Sequence, residues 1–575
     1  MSLPPPRPHP TFPRPAYALH RISFSIICRM CGLTLSITPF NTTAPSIDRI
    51  VHSLHTTNAA RGPNAKGVYA RRFQTPAGDV LVTLGASVLG LRGTLTAQPL
   101  VGKRGVLAWN GQVFGGLDVG ITENDTRKIF QRLEQGEAPN KVFNSIEGPY
   151  TFVYISFASR AIFFGVDPLS RRSLLLHAGD EDSHPIFILT SSRSAEARLQ
   201  GVAMRTLDGG QTGVIDLTAL PTGMLDFSAA LKIETRSDIA PVNKATPPAD
   251  PGTAAAEAEC DTFIARLEGA VRRRVENIPE RSPGSARVAL LFSGGVDCSL
   301  LAALVHRCLP AGEPIELVNV AFEQPRAKEN VNGNKKGKQR APERNPYDVP
   351  DRVSGRDAVE ELRGACPGRD FRFVQVDVDV EESRAHRQEI LDLMYPNKTE
   401  MDLSLGYPLY FASRGVGVVD FGYGPVPYTV GAKVYISGLG ADEQLGGYSR
   451  HRRAFERGAW PMLIDELQLD LDRLPQRNLS RDDRMLSSHA RDARYPYLDL
   501  EFVRYVSSLP IWAKCYPLLP PGEGDKVLIR LGAQQCGLQV TGKRVKRAMQ
   551  FGTKSAKLNE APARGFGAGE VVVQD

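Results

Sequence analysis

The 575-residue chain predicts an α/β and α+β architecture in two successive parts, and three observations carry that expectation. The N-terminal half alternates strand-like runs, Val80 to Leu84, Val106 to Trp109, Tyr150 to Phe157 and Ala161 to Val166. In the C-terminal half, Ile315 to Phe322 and Phe371 to Val378 are apolar runs between helical stretches, the pattern of parallel strands joined by crossover helices. Two further apolar strands each end in a Ser-Gly turn followed by a helix start. A chain of this length can bury two or more substantial cores.

The first Ser-Gly turn is the most informative stretch. Val288 to Phe292 is an apolar run of the kind a fully buried parallel strand shows. Ser293, Gly294 and Gly295 then allow a tight turn with free backbone N–H groups, and Asp297-Cys298-Ser299 opens a helical pattern. A helix N-terminus with exposed amides binds phosphate or pyrophosphate. The Lys-Ser/Thr ending of a Walker loop is absent, which argues against an ordinary kinase or GTPase.

Residues 433–448 repeat the grammar, with Lys433 to Ile436 as strand, Ser437-Gly438 as turn and Asp442-Glu443 at an acidic helix start. Two such turns at strand carboxyl ends can face one crevice, where ligands sit in open α/β sheets. Asp297 and Asp442 are candidate Mg²⁺ ligands, since a hard cation takes carboxylate and phosphate oxygens. The alternative is that each Asp only caps its helix.

The first turn resembles Ser-Gly-Gly-x-Asp-Ser, the pyrophosphate loop of ATP pyrophosphatases, with Cys298 in place of the last Ser. The second resembles Ser-Gly-Glu-Gly-Ala-Asp-Glu of asparagine synthetases, and the match extends to Asp402 and Ser404, Arg481 to Arg484, Asp492 to Arg494, Pro496 to Asp499, Lys526 to Arg530 and Lys546 to Gly552. Met30-Cys31-Gly32-Leu33 resembles the start of class II glutamine amidotransferases, followed in order by Arg61-Gly62-Pro63-Asn64, Leu91-Arg92-Gly93, Trp109-Asn110-Gly111-Gln112, Asn124-Asp125-Thr126 and Asp167-Pro168-Leu169. This wording is similar to the asparagine synthetase domain-containing protein 1 family over most of residues 31 to 217 and 255 to 555.

The resemblance implies an N-terminal-nucleophile (Ntn) hydrolase-like layered sandwich, then a parallel-sheet ATP-pyrophosphatase domain of the adenine nucleotide α-hydrolase-like type. It implies glutamine-dependent, AMP- and pyrophosphate-forming amide synthesis, with glutamine and aspartate as substrates and ATP and Mg²⁺ as cofactors. Cys31 would be the nucleophile, its own α-amine the base; such an amine has a pKa of roughly 7.7 to 8.0. Asn110 and Gly111 would form the oxyanion hole, a role for which an amide and a backbone N–H are suited. Arg92 would take the glutamine carboxylate and Asp125 its amino group, with Gln112 standing where the family has a Glu for that ammonium. Ser293, Gly294, Gly295, Asp297, Cys298, Ser437 and Gly438 would hold ATP and pyrophosphate, and Lys546 would steady the phosphates. Leu439 stands where asparagine synthetases carry a Glu that accepts a proton as ammonia attacks. Leucine does no acid–base work, and loss of a general base costs on the order of 10² to 10⁴ in rate.

A Cys31 with a free α-amine requires that nothing precede it. Met30 as initiator is the favoured expectation for residues 1–30; a cleaved leader, or a retained one with an inactive glutaminase, are the alternatives. Arg7, Arg14, Arg21 and Arg29 without an acid suit a transit peptide, whereas the prolines from Pro4 to Pro15 block an amphipathic helix.

With 42% hydrophobic and 23% charged residues the composition is that of a soluble globular protein, and no apolar run nears the ~18 residues of a membrane span. Eight scattered cysteines form no disulfide framework, and Cys28 and Cys31 lack the partners of a zinc site, so a cytoplasmic or nuclear, reducing compartment is expected. The net charge of +7 is concentrated in a basic insertion at 326–350, which reads as a solvated loop rather than a nucleic-acid site. Residues 218–256 read as a linker, with a helix beginning near Cys260, residues 257–558 as the second domain, and 559–575 as a flexible tail. Homodimerisation is left open by the sequence.

Overall fold

The computed structural model describes residues 32–40, 45–179, 186–236, 239–247, 249–279, 284–324 and 345–558. The expected leader, Cys31, residues 326–344 of the basic insertion and the tail 559–575 lie outside the described residues.

Two antiparallel sheets build the N-terminal half. Its strands are β1 (Gly32–Pro39), β2 (Ala65–Thr75), β3 (Gly78–Val88), β4 (Leu100–Val101), β5 (Gly105–Gly111) and β6 (Tyr150–Ser156). They continue with β7 (Ala161–Val166), β8 (Leu175–His177), β9 (Phe187–Thr190), β10 (Arg205–Thr206), β11 (Gln211–Asp216) and β12 (Leu231–Thr235). One sheet has the order β10-β8-β9-β1-β3-β2 and the other β12-β11-β7-β6-β5-β4. Side chains alternate across a strand, so Leu33, Leu35, Val82 and Leu84 of the first sheet meet Val106, Val153, Ile162 and Ile215 of the second in one core. Helix Pro45–Ala59 covers the first sheet through Ile50 and Leu54, and helix Asp125–Glu134 covers the second through Ile129 and Leu133. The result is four layers, helix, sheet, sheet, helix.

The expected linker 218–256 is corrected at both ends. Leu231–Thr235 is the edge strand β12, paired with β11, and the next helix starts at Ala254 rather than near Cys260. Between them Val242 is buried against the C-terminal half, its N–H donating to Gln468 Oε1 at 2.8 Å.

The C-terminal half is one seven-stranded sheet of β13 (Val288–Leu291), β14 (Ile315–Phe322), β15 (Phe371–Val378), β16 (Val416–Asp420), β17 (Pro425–Thr429), β18 (Val434–Ile436) and β19 (Asp492–Arg494). Its order is β17-β16-β15-β14-β13-β18-β19. Five strands are parallel, as the sequence predicts, and the β16-β17 hairpin adds an antiparallel edge. That hairpin turns through Gly422 and Gly424, both at positive φ and both donating to Asp420 Oδ1. Helices cover both faces, Ala254–Val275 and Val296–Cys308 on one, Glu400–Arg414 and Ser480–Ser487 on the other. The chain runs outward from β13 to β15 and then returns to β18 on β13's other side. The point where the order reverses, between β13 and β18, is where α/β sheets place ligands. Among the described residues, no helix is long and apolar enough to cross a membrane.

Candidate active site at the sheet's switch point

Both Ser-Gly turns leave the carboxyl ends of the two strands that flank the reversal, so β13 and β18, hydrogen-bonded neighbours, deliver Ser293 and Ser437 side by side. The turns are built alike. Ser293 Oγ accepts the Gly295 N–H at 3.3 Å, and Ser437 Oγ accepts the Leu439 N–H at 3.3 Å. Gly294 has φ +76°, and a Cβ there would lie 2.2 Å from the Ser354 carbonyl, so only glycine fits. Arg544 clamps the turn from behind, donating to the Gly294 and Ser354 carbonyls at 2.6 and 2.8 Å. The Cys298 thiol donates to the Gly295 carbonyl at 3.2 Å.

The turns open on a cavity of about 400 Å³ that includes Ser293, Gly295, Asp297, Cys298, Ser437, Gly438, Asp442 and Lys546, together with an apolar wall of Val318, Val320, Leu405 and Leu409. Asp297 and Asp442 lie close enough to share one cation. Lys526 Nζ is 2.8 Å from both Asp297 oxygens and 2.9 Å from Asp442 Oδ1, while Lys546 pairs with Asp442 Oδ2. Burial of Asp442 opposes its charge, but Lys526 and Lys546 outweigh that and hold its carboxyl well below the usual range. Lys546 is in turn held charged by Asp442 and Asp297 despite burial. It keeps 28% of its side chain exposed, so it can reach a ligand, whereas Lys526 is sealed at 1%.

Asp297 and Asp442 are carboxylates of the kind Mg²⁺ takes alongside water and phosphate oxygens, and the position they share is filled by the Lys526 ammonium. Among the described residues no group of three or more His, Cys, Asp or Glu could hold a metal by itself. Leu439 lines the same cavity and packs on its apolar side. Asp351 is buried in another wall, and burial pushes its carboxyl up to about 7 against the pull of Arg547 and Lys546.

The N-terminal candidates gather at the end of β5. Arg92 is buried, with Nη1 donating to the Val113 carbonyl and Nη2 to that of Val119 at 2.7 Å. Asp125 Oδ2 accepts the Val113 N–H at 3.2 Å, so Arg92 and Asp125 grip the same short segment after Gln112. Burial drives the Asp125 carboxyl up, with Arg92 opposing. Asn110 is 5% exposed and its Nδ2 is a buried donor without a partner, the state of a donor that serves a ligand. A Cβ at Gly111 would fall 2.5 Å from the Pro149 carbonyl, so glycine gives the strand room there. Gln112 is also buried, and β5 packs across the sandwich from β1, whose first residue follows Cys31. Cys31 itself is outside the described residues.

Sequence reasoning left Lys526, Arg544, Asp351 and Gln550 out of the site. Lys526 is the N-cap of the helix Val527–Gln535, at φ +53°; a lysine next to an apolar helix start opposes the helix dipole, a signal that was legible. Arg61, by contrast, belongs to the contact between the halves. Asp483 accepts Arg61 at 2.8 Å, Arg172 at 3.0 Å and the Ser173 N–H at 3.1 Å. Arg274 reaches Glu147 of the N-terminal half at 3.7 Å, and Arg171 reaches the Leu498 carbonyl at 2.9 Å.

The family model for asparagine synthase matches residues 457–561. The chain is 34% identical to the asparagine synthetase domain-containing protein 1 of Bos taurus, over 82% of this chain and 88% of that one. It is 31% identical to the protein of the same name from Mus musculus, over 92% and 97%. Among solved structures, the glutamine phosphoribosylpyrophosphate amidotransferase of B. subtilis complexed with ADP and GMP aligns at 15% identity over 50% of this chain and 66% of that one, with a TM-score of 0.27. A score that low carries no argument about the fold.

Proposed function

Since this chain belongs to the asparagine synthetase domain-containing protein 1 family, we propose that it is a glutamine-dependent amide ligase that splits ATP into AMP and pyrophosphate, with aspartate as the acceptor. The observation that carries this is the convergence of Ser293 to Asp297 and Ser437 to Asp442 on one cavity, with Lys546 at its edge.

In this scheme the turns' backbone amides cradle the leaving pyrophosphate while an acceptor carboxylate oxygen attacks the α-phosphorus. Lys546 is a point charge free to follow the negative charge that grows on the departing phosphates. Asp297 and Asp442 would hold Mg²⁺, which when bound neutralises phosphate charge. Arg92 and Asp125 would orient glutamine, Asn110 Nδ2 and the Gly111 N–H would stabilise the oxyanion as Cys31 attacks, and ammonia would then displace AMP from the activated carboxylate.

ATP–pyrophosphate exchange by the whole chain tests this. Aspartate-dependent exchange is expected, falling at least about 100-fold in Lys546→Met. Exchange absent in both the parent chain and Leu439→Glu would sink the ligase reading. Leu439 on the apolar side of the cavity favours a second reading, in which the same activation serves an acceptor other than aspartate. Under it, exchange appears with another carboxylate and not with aspartate.

A further inference from the structure

We propose that Asp351 and Gln550 bind the ribose diol of the nucleotide, an inference that rests on the ATP-dependent reading above and assigns the sugar end of the same cavity. Both residues line that cavity. Asp351 is 4% exposed, and its Oδ2 and Gln550 Oε1 are buried acceptors with no hydrogen-bond partner. Buried polar atoms are nearly always partnered, so two unpartnered acceptors on residues that line one cavity call for a ligand that brings two donors. A vicinal diol does. A phosphate brings only acceptors and would meet the Asp351 carboxylate.

The protein supplies no close substitute. Arg547 Nη1 stands 3.9 Å from the other carboxylate oxygen, on a side chain that is half exposed. Gly552 leaves the carboxylate its room, because a Cβ there would fall 1.9 Å from Asp351 Oδ1.

Position selects the sugar over the base. Asp351 lies three residues, about 4.5 Å of helix rise, before Ser354 of helix Pro350–Ala365, which braces the phosphate turn; Ser354 Oγ donates to the Ser293 carbonyl at 2.8 Å. Asn319 Nδ2 ties the Asp351 carbonyl at 2.9 Å to that of Phe292, the last residue before the turn, at 2.8 Å. The first group a nucleotide offers beyond its phosphates is the ribose, and the same cavity has an apolar wall, Val318 and Val320, for the base.

Equilibrium binding of ATP, 2′-deoxy-ATP and 3′-deoxy-ATP to the full chain, its Asp351→Asn variant and its Gln550→Leu variant tests the assignment. The parent chain is expected to bind at least one deoxy analogue about 10-fold more weakly than ATP. Each variant is expected to lose affinity for ATP while that discrimination shrinks, a change that general unfolding would not produce. Equal discrimination in all three proteins overturns the inference, as does a variant whose ATP affinity holds while its KM for an amino-acid acceptor rises. If the parent chain binds no ATP, the ligase reading fails first and this one with it.

Discussion

At the scale of single residues, the site is a balance of buried charges in which Lys526 is the pivot. Its ammonium lies between Asp297 and Asp442, and removing one partner of a buried pair leaves the others uncompensated. Asp442 has a folded pKa below its unfolded one, so its contribution to stability is full above about pH 4 and lost as pH falls. Lys526→Met lets burial dominate and moves that loss to higher pH. Stability is expected to fall by roughly 3–5 kcal/mol at pH 7, with a smaller deficit at pH 4, as read from denaturant curves across that range. Equal deficits at both pH values would contradict the account. Asp351 runs in the opposite sense. Burial raises its carboxyl to about 7, so the folded state is penalised as pH rises from about 4 to 7. Asp351→Asn is therefore expected to raise the melting temperature above pH 7 and leave it unchanged near pH 4.

At the scale of elements, the strands were legible because their apolar runs are long and carry β-branched residues. Ala161–Val166, Ile315–Phe322 and Phe371–Val378 have the bounds their sequence predicts. The Leu231–Thr235 strand escaped notice because Leu-Lys-Ile-Glu-Thr lies on an edge, with only partial burial and a Pro- and Ala-rich stretch after it. The Ser-Gly-Gly turn was legible as a motif, but not the reason for each glycine. Gly294 and Gly295 are equivalent in sequence and different in space. Gly294→Ala meets the Ser354 carbonyl at 2.2 Å in a left-handed backbone, whereas Gly295→Ala meets nothing nearer than Ser293 Oγ at 3.4 Å. Gly294→Ala is expected to weaken ATP binding more than 10-fold and cost about 1–3 kcal/mol of stability. Gly295→Ala is expected to stay within about twofold in ATP titrations of the same preparation. Loss of binding in both alike would mean that the room a methyl fills at either glycine, rather than the backbone conformation of Gly294, sets the requirement, since alanine keeps the backbone amide.

At the scale of the whole molecule, neither half's motif predicts how the halves meet, because the contact is made of charges far apart in sequence. Arg61 belongs to the Arg-Gly-Pro-Asn stretch of the N-terminal half, yet its partner is Asp483, on the helix that also carries Arg481 and Asp482 into the C-terminal cavity. One turn of that helix therefore faces the C-terminal cavity while its next residue, Asp483, grips Arg61 and Arg172. Asp483 is buried, but Arg61 and Arg172 outweigh the burial and keep its carboxyl charged. Because the pair sits in low dielectric with Ser173 completing its shell, replacing the carboxylate costs more than a surface ion pair would. Asp483→Asn is expected to destabilise the protein by roughly 3–5 kcal/mol and to split a single calorimetric melting transition into two, one for each half. A single transition, merely shifted down, would show that contacts such as Arg274 with Glu147 and Arg171 with the Leu498 carbonyl suffice to keep the halves folding as one unit.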